Sequence, residues 1–185
     1  MIITLSETYK KEVIPEMMKK FGYKSAMAVP KIKKVVVNTG FGRLISGKTS
    51  EEQKKIYSAI LEDLSLITGQ KPVLKKSKKS ISAFKTRKGL PIGTAIILRG
   101  KMMNDFLQRL IHLVLPRSRD FQGIDPSSFD NDGNLTIGVK EHIVFPEVSP
   151  EKSKNIFGLE ITIVTNAKTR EEGIELLKLM GFPIK

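Results

Sequence analysis

The chain has 185 residues, 40% of them apolar, and no cysteine; that is enough for one core, and it excludes disulfides, iron–sulfur clusters and thiolate-held zinc. Thirty-two Lys and Arg against 19 Asp and Glu leave a net charge of +13, which points to a polyanionic partner. The longest apolar stretch, Leu110–Leu115, is far short of the ~20 residues of a membrane span, and Met1–Leu5 lacks the charged and apolar regions of a signal peptide, so a soluble cytoplasmic protein is expected.

Ser6 to about Phe21 is predicted helical, interrupted or restarted at Pro15, which cannot donate an interior hydrogen bond. Lys31–Asn38 is a β-branched run that ends in Thr39-Gly40, hence a strand. From Ser50 to Thr68, Ile56, Ile60, Leu61, Leu64 and Ile67 recur at helical spacing; Ser50 with Gln53 supplies a capping pair and Gly69 a stop. Val73–Leu74, Ile81–Thr86 and Ile92–Arg99 are predicted strands, the last two joined by a turn at Gly89-Leu90-Pro91. Lys101–Leu115 is a second apolar-faced helix ended by Pro116, and residues 117–134 are loop-like with a turn at Asp132-Gly133. Leu135–Val139 and Leu159–Val164 alternate as strands. Thr169 caps a last helix with Glu172 at its third position, and Gly181-Phe182-Pro183 ends it. Hairpin-like neighbours mixed with helices give the α+β class: one domain over 1–185, with a largely antiparallel sheet.

The charge is unevenly placed. Residues 64–104 hold ten basic groups and no acid, whereas 120–151 hold seven acids (Asp120, Asp125, Asp130, Asp132, Glu141, Glu147, Glu151) against Lys140 alone. A solvated face normally mixes signs, so 41 residues without a carboxylate imply a partner that supplies the negative charge. Lysine outnumbers arginine 25 to 7, which suits phosphate better than base edges. Phe84 is the sole aromatic of the acid-free stretch, and single-strand binders need several stacking platforms. Structured nucleic acid is therefore the expected partner, and a membrane surface is not.

Gly42-Arg43-Leu44-Ile45-Ser46-Gly47-Lys48-Thr49 fits the phosphate-loop pattern G-x-x-x-x-G-K-[ST] between a strand and a helix. Lys48 would reach the outer phosphates and Thr49 would hold magnesium. This is the alternative reading, a P-loop nucleotide-binding protein. No strand ends in the acid such a site needs, and antiparallel neighbours do not suit its parallel sheet. Two lone histidines, His112 and His142, make no metal site. Asp130-Asn131-Asp132-Gly133 is a turn rather than a calcium loop, because Ser128 and Val139 stand where the first and last acids belong. No cofactor is expected, and no enzyme.

Several strings in one order carry a resemblance over essentially the whole chain: "VVVNTGFG", "ITGQKP…KKSKKSISAFKTRKGLPIGT", "LPRSRDFQGIDPSSFDNDGN" and "FPEV". Together they resemble the bacterial large-subunit ribosomal protein five family, the 5S rRNA binder. The resemblance implies a sheet with helices on one face and RNA on the other, in the central protuberance of the large ribosomal subunit among neighbouring ribosomal proteins and 23S rRNA. It implies a 5S rRNA set of Lys33, Asn38, Gln70, Lys71, Thr94 and Arg99. A basic loop over 75–88, with Lys75, Lys76, Lys78, Lys79, Lys85, Arg87 and Lys88, would face the P-site tRNA. An intersubunit bridge to a small-subunit head protein would use Arg117, Asp120, Asp125, Asp130, Asp132 and Glu141. Lys75 departs from the family, which usually has a hydroxyl residue there, and Arg43–Thr49 lies where members vary. The implied action is binding: lysines neutralise phosphates and release counterions, while a few amides and hydroxyls set register.

Overall fold

The structure, a computed structural model, describes residues 4–119, 121–151, 153 and 155–185. Five strands, β1 (Ile32–Gly40), β2 (Val73–Lys76), β3 (Pro91–Leu98), β4 (Leu135–Val139) and β5 (Leu159–Thr165), form one antiparallel sheet in the order β2-β3-β1-β5-β4. The period of two is visible in burial. Val35, Val37 and Thr39 of β1, Leu135, Ile137 and Val139 of β4, and Leu159, Ile161, Ile163 and Thr165 of β5 are buried, and the residues between them are not. The described residues also form α1 (Leu5–Thr8), α2 (Ile14–Phe21), α3 (Gly42–Ile45), α4 (Ser50–Thr68), α5 (Gly100–Arg109), α6 (Leu115–Arg117) and α7 (Arg170–Leu179), with short π and 3-10 turns between elements. The α+β class read from the sequence is the class found.

Contacts divide the chain into two compact units. One holds the described residues up to Val36 together with Leu98–Ile137 and Thr162–Lys185. In it α1 packs on α5 and α2 on α7, burying Val13, Met17, Phe106, Leu107, Leu110, Leu176 and Leu177. Its two helical prolines share one solution. Pro15 and Pro116 each follow a single widened π-turn, Tyr9–Val13 and Leu110–Val114, and each is the second residue of the α-helical segment after it. The wider turn makes room for a ring and leaves no carbonyl waiting for the missing N–H. Pro116 therefore does not end its helix, as the sequence suggested; the helix runs on to Arg117. A close approach explains two glycines: a Cβ on Gly173 of α7 would meet the carbonyl oxygen of Gly133, itself at φ +72°.

The other unit comprises Val37–Ile97 and Gly138–Ile161. Helix α4 presents Ile56, Ile60, Leu64 and Ile67 to its core, beside Phe41, Ile45, Phe145, Val148 and Phe157. Thr49, not Ser50, caps α4: its hydroxyl accepts from Glu52 N–H, and the Glu52 carboxylate accepts in return from Thr49 N–H at 3.0 Å. The predicted pair lay one residue too late. Gly69 ends α4 in the left-handed region at φ +68°, as expected. Ile81–Thr86 is not a strand. It is a single antiparallel bridge closed over a 3-10 turn at Ser82–Phe84, because six residues must both leave and return.

Candidate nucleic-acid interface

β2 pairs antiparallel with β3, Val73 opposite Ala95, Leu74 opposite Thr94 and Lys75 opposite Gly93, with a register shift between Lys75 and Lys76. Beyond the shift the chain forms a closed arch. Ser77 N–H donates to Leu90 O (2.8 Å), Gly89 N–H to Ser77 O (2.9 Å), and Ile81 and Thr86 exchange bonds of 3.1 Å. Ser77 Oγ donates to Lys79 O (2.6 Å), and Ser80 Oγ accepts from Lys88 N–H (2.9 Å). The hydroxyls of Ser77 and Ser80 thus tie the arch to its own backbone. Lys75, Lys76, Lys78, Lys79, Lys85, Arg87 and Lys88 are all exposed. None has an ion-pair partner among the described residues. Lys85 sits at φ +50°, a conformation that costs a side-chain-bearing residue roughly 1–2 kcal/mol.

The sheet beside this arch has an outward face. Ala95 and Ile97 alternate with Thr94, Ile96 and Leu98, which are buried, and Val73, opposite Ala95, is 61% exposed. On β1, Asn38 lies between buried Val37 and Thr39 and is half-buried; its amide makes no hydrogen bond among the described residues. Gly93 lets β3 approach β1, since a Cβ there would stand 2.8 Å from Thr39 O. These outward residues carry no aromatic ring, so a sugar–phosphate backbone can lie against them while bases find nothing to stack on. Gln70 and Lys71 are exposed just past the cap of α4, in the same unit.

Other expected residues fall elsewhere. Thr94 is 3% exposed, and its hydroxyl donates to Val73 O at 3.0 Å; it closes the β2–β3 edge from the core side and departs from the expected RNA face. The signal was present in the sequence, because Thr94, Ile96 and Leu98 share one period-two register. Lys33 and Arg99 are exposed, but both belong to the unit that contains the N-terminal helix. By alternation Lys33 sides with Val35 and Val37, whereas Lys34 shares the parity of Asn38.

The acidic segment is divided between the units. Asp125 and Asp130 are exposed but structurally engaged: Asp125 Oδ1 accepts from Ser127 N–H (2.7 Å), and Asp130 Oδ1 accepts from Asn134 N–H (2.7 Å) and Asp132 N–H (3.1 Å). The Ser127 bonds hold the Asp125 carboxyl below the usual carboxylate range. Asp132 is exposed, as is Arg117 at the end of α6; Glu141 is half-buried in the other unit. Asp120 lies outside the described residues.

The phosphate-loop pattern does not make a phosphate loop. Gly42–Ile45 is already a helical turn, Gln53 Nε2 donates to Lys48 O (2.9 Å), and the Thr49 hydroxyl is engaged with Glu52. A carboxylate thus occupies the helix end where a phosphate would sit. A second catalytic constellation dissolves on inspection of its atoms. His142 Nε2 lies 2.7 Å from Ser153 Oγ and 3.4 Å from Asp63 Oδ2, while its Nδ1 accepts from Phe157 N–H. Serine and aspartate crowd one ring nitrogen, where a nucleophile relay needs them on opposite ones. His112 is a surface residue. No group of acids and histidines able to hold a metal occurs among the described residues, and no helix there is long and apolar enough to cross a membrane.

Residues 25–87 match the family described as "Ribosomal protein L5", and residues 91–184 the "ribosomal L5P family C-terminus". The chain is 51% identical over 179 residues to "Large ribosomal subunit protein uL5" of Halothermothrix orenii, covering 97% of both chains. It is 52% identical over 181 residues to the protein of the same name from Dictyoglomus turgidum, and 49% over 181 residues to that of Geotalea uraniireducens, with 98% of both chains covered in each case.

Proposed function

The chain belongs to the ribosomal protein L5 family, and from that premise we propose that it binds 5S rRNA in the central protuberance through the outward sheet face around Asn38, Val73, Ala95 and Gln70. As a family member it is a structural constituent of the large ribosomal subunit in the cytoplasm, and it is not an enzyme. Its work is positioning RNA: cations neutralise phosphates, and neutral amides and backbone groups fix the register.

The arch over residues 75–88 is the second surface, offered to the P-site tRNA and to 23S rRNA. The acidic segment 120–151 is offered to a basic protein of the small-subunit head at an intersubunit bridge. The observation that carries the reading is the arch itself, seven exposed cations without ion-pair partners among the described residues, on one hydrogen-bonded frame continuous through β2 with a face free of aromatic rings. Such an arrangement is self-repelling unless a polyanion lies against it.

The test is 5S rRNA binding by the purified protein across a salt series. With about six phosphates neutralised, log affinity should fall against log salt with a slope of roughly −4 to −5. A flat response would remove the basis of the proposal.

A further inference from the structure

We propose that the groove between the arch and the turn that follows β1 receives an unstacked nucleobase of the bound RNA, with Phe84 as its stacking partner. The groove has a volume of about 840 Å³, and its walls come from the 40–46 turn and the 77–92 arch, within one unit. This is the size class of sites that enclose a small organic group. Phe84 and Ile92 make an apolar lining, Ser46 and Thr86 offer hydroxyls, and Arg43 and Lys85 stand on opposite walls as cations. No acid lines it.

Three observations choose the occupant. First, Phe84 is 70% exposed although a 3-10 turn holds its backbone. An aromatic kept on the surface of the most basic part of the chain needs a reason that phosphate alone does not give, because phosphate has no apolar face. Second, neither Arg43 nor Lys85 has an ion-pair partner among the described residues, so the occupant must bring negative charge as well as a flat ring. A nucleotide brings both. Third, Arg43 and Ser46 belong to the Gly42–Thr49 string that resembled a phosphate loop, and their place on the groove wall gives that string a use without nucleotide hydrolysis. Free nucleotide is disfavoured, because Lys48 and Thr49, the residues that would hold its outer phosphates, do not line the groove.

The inference rests on the proposed RNA-binding role, and its test is built to fail separately from it. Parent, Phe84→Leu, Phe84→Tyr and Arg43→Gln proteins are each titrated with 5S rRNA and with 23S rRNA, and assayed for tRNA occupancy on reconstituted ribosomes; complexes are also irradiated and cross-linked residues located by mass spectrometry. Phe84→Leu should weaken binding in one of the three arms by roughly 5- to 100-fold, with an unchanged salt slope, because a ring and no charge has been lost. Phe84→Tyr should restore it, Arg43→Gln should flatten the slope by about one in that same arm, and the cross-link should fall on Phe84. All variants should melt as the parent does. If the parent binds RNA with a steep salt response but Phe84→Leu matches it in every arm, or loses thermal stability instead of affinity, no base occupies the groove. If the parent itself fails to bind, the RNA-binding role fails and the groove with it.

Discussion

The imidazole of His142 lies flat on the ring of Phe157, their centroids 3.8 Å apart and their planes 11° from parallel. The same histidine accepts from the Phe157 N–H, so Nδ1 carries no proton and the neutral ring has its hydrogen on Nε2, facing Ser153. Its side chain is wholly inaccessible, and burial lowers its pKa from the usual value, against the opposing pull of the Asp63 carboxylate. The folded value is therefore below the unfolded one of about 6.5. Between the two, the unfolded chain binds more protons, so this contribution to stability is full above that pH and is lost as pH falls through the folded value. Melting temperature should drop between pH 7.5 and 5. His142→Gln should melt lower than the parent at pH 7.5 but with a shallower dependence on pH; parallel curves would show that another group is responsible.

Thr49 and Glu52 form a reciprocal cap on α4, and Glu52 is held below the usual carboxylate range first by the Thr49 backbone N–H and then by its hydroxyl. Thr49→Ala should cost about 1 kcal/mol in chemical denaturation, and Ser50→Ala next to nothing. Neither change should alter RNA binding. Equal losses for the two would mean that the cap does not control the start of this helix.

Most of the fold was legible because it rests on short-range rules. Alternation in Leu135–Val139, the spacing of Ile56, Ile60 and Leu64, and the stop at Gly69 each need only a few neighbouring residues. Errors arose where a second element decides. Pro116 reads as a stop until a π-turn relieves it. Ile81–Thr86 reads as a strand until Ser77 and Gly89 draw its ends together. The cations of the arch were visible as a run without acids, but their frame was not, since Ser77 and Ser80 are ordinary serines in sequence. The groove beside Phe84 was invisible, because its walls are separated by about 30 residues of chain that include all of α4.

Asn38 and Thr94 invite a paired measurement, since one points outward and the other does not. Asn38→Ala should weaken 5S rRNA binding by about 1–3 kcal/mol at unchanged melting temperature, the range for a desolvated polar contact. Thr94→Val removes the bond to Val73 O, so it should lower stability by about 1 kcal/mol and leave the affinity of the folded protein alone. The reverse pattern would exchange their roles, and loss of stability in both would make Asn38 a strand residue only.

The basic arch and the acidic segment should separate by assay. Replacing Lys75, Lys76, Lys78 and Lys79 by Glu places four carboxylates on the arch, where the parent has none; tRNA occupancy on assembled ribosomes should fall while 5S rRNA binding through the sheet face largely persists. For the acidic segment, the substitutions must avoid Asp130, whose carboxylate holds the turn before β4 through Asn134. Neutralising Asp132, Glu141 and Glu151 leaves that turn intact and removes three of the seven acids between 120 and 151. Fewer negative charges there should loosen joining to the small subunit, because a basic partner loses its attraction, and should leave isolated 5S rRNA binding unchanged or slightly tighter, because repulsion of phosphate is relieved. Each variant needs both readings, 5S rRNA binding alone and subunit joining with tRNA. Should both variants lose 5S rRNA binding first and to the same extent, the two surfaces would be one, and the division of labour drawn from the charge pattern would be wrong.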